Sequence, residues 1–264
     1  MQLNGLKRRA FITLLGGAAA WPLAASAQQP LNPVVGFLSG GSPAGFAYLV
    51  HAFRQGLSET GYVDGQNVAL ELRWAEGQYE RLPALVADLV RRQVAVLAAT
   101  TTPAALAAKA ATTSIPIVFA TDTDPVRVGL TASLSRPGGN ITGVSNLNIE
   151  VGPKRLELAH ELFPTATTIA LLVNPTNPLA DSVSRDLQSV ARSLGVELHV
   201  LHASTERDFE PVFTTAAQLR AAALVIGSAD PLFGSRAELL GALALRHRVP
   251  AIYQFESLPP AAAW

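Results

Sequence analysis

The chain has 264 residues, of which 49% are hydrophobic and 15% are charged, and its formal net charge is zero. This length and composition predict one large globular domain or two smaller ones. The absence of cysteine excludes disulfides, thiol catalysis, cysteine metal sites and lipid attachment to an N-terminal cysteine. The charge balance lacks the basic excess of a protein that binds nucleic acid.

Residues 1–27 are typical of an export signal. Lys7, Arg8 and Arg9 precede a short apolar stretch, and a small-x-small pattern ends at Ala27. The paired arginines favour a twin-arginine signal, although an ordinary secretory signal with two incidental arginines fits the same residues. The apolar stretch is too short for a stable membrane span. We therefore expect cleavage near Ala27 and a soluble, exported mature chain.

The first half of the mature chain alternates predicted strands and helices. Residues 33–39 and 68–74 are predicted strands, and residues 46–57 and 82–90 are predicted helices. Residues 95–124 then show an apolar run, a polar break, an Ala-rich helix and a second apolar run. Thr102 is the expected N-cap of that helix, with Pro103 at its first position. This pattern predicts parallel strands joined by a helix.

The alternation begins again after residue 145. The predicted helices and strands of this half cover, in order, residues 154–162, 168–173, 181–194, 197–201, 206–220, 223–227, 239–246 and 251–255. The order of elements over residues 97–122 recurs over residues 224–256, although generic α/β repetition would give the same pattern. We predict an α/β fold of two Rossmann-like lobes with parallel sheets, covering residues 28–144 and 145–255, and an irregular tail over residues 256–264.

Polar residues follow several of the predicted strands, where open parallel sheets bind their ligands. A helix start with free N–H groups favours an anion, and a carboxylate pairs with an ammonium group. Thr102, Asp124 and Asp230 have helix or turn capping as an alternative role. The predicted ligand-binding residues are Ser39, Ser42, Thr100, Thr101, Thr102, Asp122, Asn174, Ser228, Asp230 and Tyr253. The histidines lack metal-ligand spacing, so no metal or other cofactor is predicted.

Several strings resemble those of ABC transporter substrate-binding proteins of the tryptophan/tyrosine type. They include VVGFLSGGSP, RWAEGQYERLPALVADLV, SRPGGNITGVS, GPKRLELAHELFP and LVNPTNP. The resemblance implies a type I periplasmic-binding-protein fold that clamps a small solute between two lobes. It also implies a periplasmic location and a permease partner in the inner membrane. After Tyr253 the chain departs from the family pattern with a Pro/Ala-rich tail, so we expect a C-terminally truncated member.

An enzyme alternative comes from Asp122 and Asp124 at the end of an apolar strand. This Asp-x-Asp arrangement resembles the nucleophile strand of Mg²⁺-dependent haloacid-dehalogenase-like phosphatases. That chemistry also needs a downstream lysine and a second carboxylate cluster, for which Lys154 and Asp230 are poor candidates. We therefore predict a carrier for a small, amino-acid-like solute rather than an enzyme.

Overall fold

The computed structural model describes residues 32–227 and 230–254. The predicted export signal, Ser228 and the tail over residues 256–264 lie outside the described residues. None of the helices in the described ranges is both long and apolar enough to cross a membrane.

A parallel five-stranded sheet forms the first lobe, with strand order β2-β1-β3-β4-β5. Its elements are β1 (Val34–Ser39), α1 (Ala47–Glu59), β2 (Ala69–Trp74), a 3₁₀ turn (Tyr79–Arg81), α2 (Leu82–Arg91), β3 (Val96–Ala99), α3 (Thr102–Ala111), β4 (Ile117–Thr121) and β5 (Ile141–Ser145). β2 lies at an edge of the sheet, and all six of its residues are partly buried.

Helices pack on both faces of this sheet. They cover one face and only part of the other. Helices α2 and α3 pack their apolar side chains on one face, against Leu97 and Phe119. Helix α1 packs on the other face, over β1 and β3, around Phe37. Further along that face Val118 of β4 and Val144 of β5 are 45% and 70% exposed. The apolar side chains at this end of the sheet are therefore uncovered.

A parallel four-stranded sheet forms the second lobe, with strand order β7-β6-β8-β9. Its elements are α4 (Gly152–Leu162), β6 (Thr168–Val173), α5 (Ala180–Ser193), β7 (Glu197–His202), a 3₁₀ turn (Glu206–Asp208), α6 (Phe209–Gln218), β8 (Leu224–Ile226), α7 (Pro231–Gly234), α8 (Ala237–His247) and β9 (Ala251–Ile252). Helices α4 and α5 cover one face, and α6 and α8 cover the other.

The predicted fold class of parallel sheets in two lobes is confirmed. The two predicted strand–helix–strand repeats are β3-α3-β4 and β8-α8-β9, and a proline, Pro116 or Pro250, precedes the second strand of each. The predicted lobe boundary between residues 144 and 145 stays a prediction. One helix start differs from its prediction, since the N-cap of α3 is Thr101 rather than Thr102.

Candidate functional site

A cleft of about 1060 Å³ lies between the carboxyl ends of the first-lobe strands and the start of α8. This volume is slightly above the usual range of small-molecule sites, roughly 300–1,000 Å³. Its lining residues come from α1 and the loops after β3, β4 and β5 on one side, and from residues 230–239 on the other.

Four of the predicted site residues line this cleft, namely Thr100, Thr101, Asp122 and Asp230. The structure thus brings together the ends of β3 and β4 with the segment after β8, as the two-lobe prediction requires. Whether these residues contact a ligand stays a prediction.

Five other predicted residues belong to the described part of the chain and do not line the cleft, while Ser228 lies outside the described residues. Ser39 and Ser42 accept hydrogen bonds from backbone N–H groups of their own loop, those of Gly41 and Gly45. Asn174 is fully buried and donates to Asp230. Two further predicted residues, Thr102 and Tyr253, have hydroxyl oxygens that are buried without a partner among the described residues. Burial raises the pKa of Tyr253.

The loop before α3 contains two threonine hydroxyls in different environments. That of Thr101 accepts hydrogen bonds, and that of Thr100 has no partner in the described part of the chain. Thr101 Oγ1 accepts hydrogen bonds from the N–H of Gly40 at 3.1 Å and from that of Ala104 at 3.4 Å. The second of these bonds caps the helix. Thr100 Oγ1 is shielded from solvent and has no partner in the described part of the chain. A buried hydroxyl without a partner is costly, and a ligand in the cleft would remove that cost.

Asp122 provides the negative charge on the first-lobe wall. Its Oδ1 accepts a hydrogen bond from Asn146 Nδ2 at 2.9 Å. Burial raises the pKa of this carboxyl group, the Asn146 bond opposes that rise, and the charge of Glu150 adds to it. An uncompensated carboxylate in this position favours a cationic partner.

Asp124 has a different environment from Asp122. Its Oδ1 accepts hydrogen bonds from the backbone N–H groups of Val126 and Arg127, so it caps the turn after β4. It does not line the cleft. The two carboxylates that the phosphatase alternative requires are therefore not presented together.

Aromatic side chains form the wall of the cleft beside Asp122. Phe37, Phe46, Tyr48 and Phe53 all line it. The rings of Phe46 and Tyr48 stack with centroids 6.4 Å apart. Burial and the charge of Asp122 raise the pKa of Tyr48. Phe46 and Phe53 lie in the helix predicted over residues 46–57, and the predicted site did not include this wall.

The second-lobe wall contains the start of α8. Arg236 and Glu238 line the cleft there. The Arg236 guanidinium donates to Glu206 Oε2 at 2.6 Å, so its charge is already paired.

The chain matches the family model described as "ABC transporter substrate binding protein" over residues 35–257. A tyrosine-binding protein from Clostridioides difficile (strain R20291) is 37% identical over 123 residues, which are 46% of this chain and 35% of that protein. The match thus spans about a third of the relative's length.

Solved structures share the fold. A conserved domain protein from Vibrio cholerae superposes with a TM-score of 0.72 at 26% identity, over 84% of this chain and 73% of that one. An ABC domain in complex with L-Trp from Streptococcus pneumonia superposes with a TM-score of 0.68 at 23% identity, over the same shares of the two chains. Because the family model matches most of this chain, the chain belongs to the ABC transporter substrate-binding protein family.

Proposed function

We propose that the chain binds an amino-acid-like solute in the cleft between its lobes and serves as the extracytoplasmic solute-binding component of an ABC importer. The observation that carries this proposal is the pairing of one partly buried carboxylate, Asp122, with an aromatic wall in the same cleft. A carboxylate and an aromatic wall together suit a ligand that has an ammonium group and an apolar side chain. Family membership supports the carrier class.

The ligand's ammonium group is proposed to pair with Asp122. The carboxylate of the ligand is proposed to lie at the start of α3, where the positive end of the helix dipole and the unpartnered hydroxyl of Thr100 favour an anion. Thr101 supports this position by capping the helix. The side chain of the solute would then pack against Phe46, Tyr48 and Phe53.

L-tyrosine is the proposed first ligand to test. The tyrosine-binding relative is 37% identical over the matched segment, and the cleft presents four aromatic side chains. Aromatic side chains stack on one another in offset or edge-to-face arrangements, which favours an aromatic solute over an aliphatic one.

The proposed role is binding without chemical transformation. Asp124 caps its own turn and lies outside the cleft, which leaves Asp122 without the second carboxylate of the phosphatase arrangement. The proposed location is the periplasm after cleavage near Ala27, and the proposed partner is an ABC permease in the inner membrane.

A thermal-shift screen of the purified chain against the L-amino acids and benzoate tests this proposal. Ligand at about one hundred times its Kd stabilises a protein by about 2.7 kcal/mol, which raises the Tm by about 5–10 °C for a chain of this size. We expect that shift with aromatic amino acids and a smaller one with aliphatic amino acids and benzoate. Equal melting temperatures with and without every compound would contradict the proposal.

A further inference from the structure

One buried hydrogen bond joins the two lobes directly. The Tyr79 hydroxyl, in the 3₁₀ turn before α2, donates to Asp230 Oδ2 at 2.8 Å. Tyr79 is 7% exposed and Asp230 is 1% exposed. Tyr79 is absent from the lining of the cleft, whereas Asp230 is part of it, so the bond joins the cleft wall to a residue behind it.

The first lobe holds Tyr79 in place through the loop after β1. The N–H of Gly77 donates to the carbonyl of Gly40 at 2.8 Å, and the N–H of Gly40 donates to Thr101 Oγ1. A Cβ on Gly40 would lie 3.0 Å from the Tyr79 ring, so the ring packs directly on this glycine. Tyr79 is therefore fixed against the same loops that form the first-lobe wall of the cleft.

The second lobe holds Asp230 with three donors of its own. Asn177 Nδ2 donates to Oδ2 at 2.9 Å, Asn174 Nδ2 donates to Oδ1 at 3.3 Å, and the N–H of Leu232 donates to Oδ1 at 2.9 Å. A carboxylate can accept about four hydrogen bonds. With the bond from Tyr79, all of the acceptor positions of Asp230 are occupied. When the lobes separate, Asp230 keeps its three second-lobe donors and only the Tyr79 bond is broken.

We propose that the Tyr79–Asp230 hydrogen bond is a latch that stabilises the closed arrangement of the lobes, with its donor, Tyr79, outside the lining of the cleft. Its acceptor is charged and buried, which is the setting in which a single hydrogen bond contributes most. The bond can open reversibly, because neither partner is left as an unpaired buried charge.

A second contact between the lobes differs from this latch. Arg127 pairs with Asp186 of α5, and both side chains are nearly half exposed. Exposed ion pairs contribute little and are weakened further by salt. The Tyr79–Asp230 latch is thus the stronger candidate for setting the population of the closed state.

The consequence for solute binding rests on the proposed function. A ligand that binds only the closed state has an apparent Kd equal to its intrinsic Kd divided by the closed fraction. Tyr79 would then act as a positioning residue that tunes affinity from outside the cleft. Loss of a hydrogen bond to a charged group lowers the ratio of closed to open chains by about tenfold or more, and the apparent affinity falls in proportion to the closed fraction.

Tyr79→Phe tests the latch, with Tyr62→Phe as the matched control. Tyr62 is 48% exposed in the first lobe, so its variant removes a hydroxyl without touching the latch.

The distance between the lobes is measured with two nitroxide labels. The chain has no cysteine, so labels on Ser58→Cys and Gln218→Cys, one exposed position in each lobe, report this distance. Asp230→Asn is a second variant that keeps an oxygen acceptor for the Leu232 N–H, and circular dichroism checks the folding of all variants.

Without solute, we expect Tyr79→Phe and Asp230→Asn to add a second population of inter-label distances that Tyr62→Phe lacks. Saturating L-tyrosine should restore the single closed distance, and the Kd of Tyr79→Phe should exceed that of Tyr62→Phe by the inverse of the closed fraction that the labels report for Tyr79→Phe without solute. Distance distributions without solute that are identical for Tyr79→Phe and Tyr62→Phe would overturn the latch. If L-tyrosine binds to none of the chains, the proposed ligand fails, while the distances without solute still decide the latch.

Discussion

Asn146 Nδ2 donates a hydrogen bond to Asp122 Oδ1 at 2.9 Å, which ties the segment after β5 to the carboxylate that follows β4. In the part of the chain that the structure describes, no donor reaches Asp122 Oδ2. One oxygen is therefore oriented by Asn146, and the other is the one proposed to pair with the ligand ammonium. This arrangement makes Asp122 the residue on which the proposed solute site depends most.

Asp122→Asn is expected to weaken L-tyrosine binding by about 2 kcal/mol, or roughly 30-fold, because a charged acceptor for the ligand ammonium is lost. The Asn146 bond is kept, since the variant retains Oδ1. Asp124→Asn is the matched control, because it removes a charge two residues away and keeps the turn acceptor for Val126. Isothermal titration calorimetry measures both variants. Equal losses in the two would show that Asp122 has no specific role.

Binding of L-tyrosine is expected to weaken as the pH falls. Burial raises the pKa of Asp122, so this carboxyl group takes up a proton at a higher pH than an ordinary aspartate does. The protonated form cannot pair with an ammonium group, and affinity is then lost as the pH falls towards the raised pKa. Asp122→Asn should show little pH dependence between about pH 7 and pH 5. An equally steep decline in that variant would assign the titration to another group.

The same shift has a consequence for stability. A raised aspartate pKa means that burial of the charged form opposes folding above that pKa, and protonation relieves the cost as the pH falls. Asp122→Asn is therefore expected to melt no lower than the unchanged chain at pH 7. Differential scanning calorimetry without solute measures this, and a clearly lower Tm would indicate that Asp122 has a structural role instead.

Thr100→Val is expected to weaken L-tyrosine binding about fivefold while leaving the Tm unchanged or higher. The variant removes a buried hydroxyl that has no partner among the described residues, so folding loses nothing, whereas the ligand loses a donor worth about 1 kcal/mol. Thr102→Val is the control, since its hydroxyl is also buried and unpartnered but does not line the cleft. Unchanged affinity in Thr100→Val, measured by calorimetry, would remove Thr100 from the site.

Gly45→Ala is expected to hinder closure of the cleft. A Cβ on Gly45 would lie 2.5 Å from Ser235 Cβ of the other lobe, which is a severe overlap. Overpacking costs about 1–3 kcal/mol, so the affinity for L-tyrosine should fall at least about fivefold. Gly56→Ala in α1 is the control, because nothing lies within 4 Å of its added Cβ. Fluorescence titration compares the two, and equal affinities would show that Gly45 does not govern closure.

Apolar periodicity together with cap residues predicted most of the strands and helices, and β6 was predicted with its observed bounds, Thr168–Val173. The short helix α7 (Pro231–Gly234) was not predicted. Local patterns were less informative at helix starts. Thr101 and Thr102 both precede the proline of α3, and the structure uses the first of them as N-cap. Sequence spacing does not distinguish two adjacent threonines, because each can accept a hydrogen bond from the first helical turn.

Contacts between residues that are far apart in the chain could not be predicted from the sequence. Tyr79 and Asp230 are 151 residues apart, and neither belongs to a motif that names the other. The turn residues around Gly77 place Tyr79 at the end of β2, which is the one local signal that it lies near the cleft edge. Phe46 and Phe53 fit an amphipathic helix, and only the placement of α1 beside the cleft shows that this stripe also faces a potential ligand.

The proposed binding of an amino-acid-like solute at Asp122 is tested most directly by calorimetric titration of the purified chain with L-tyrosine and with its deaminated analogue. The two compounds differ only in the ammonium group that Asp122 is proposed to hold. We expect saturable one-to-one binding of L-tyrosine and binding of the analogue that is weaker by roughly 30-fold. No measurable binding of L-tyrosine, or equal affinity for both compounds, would contradict this site.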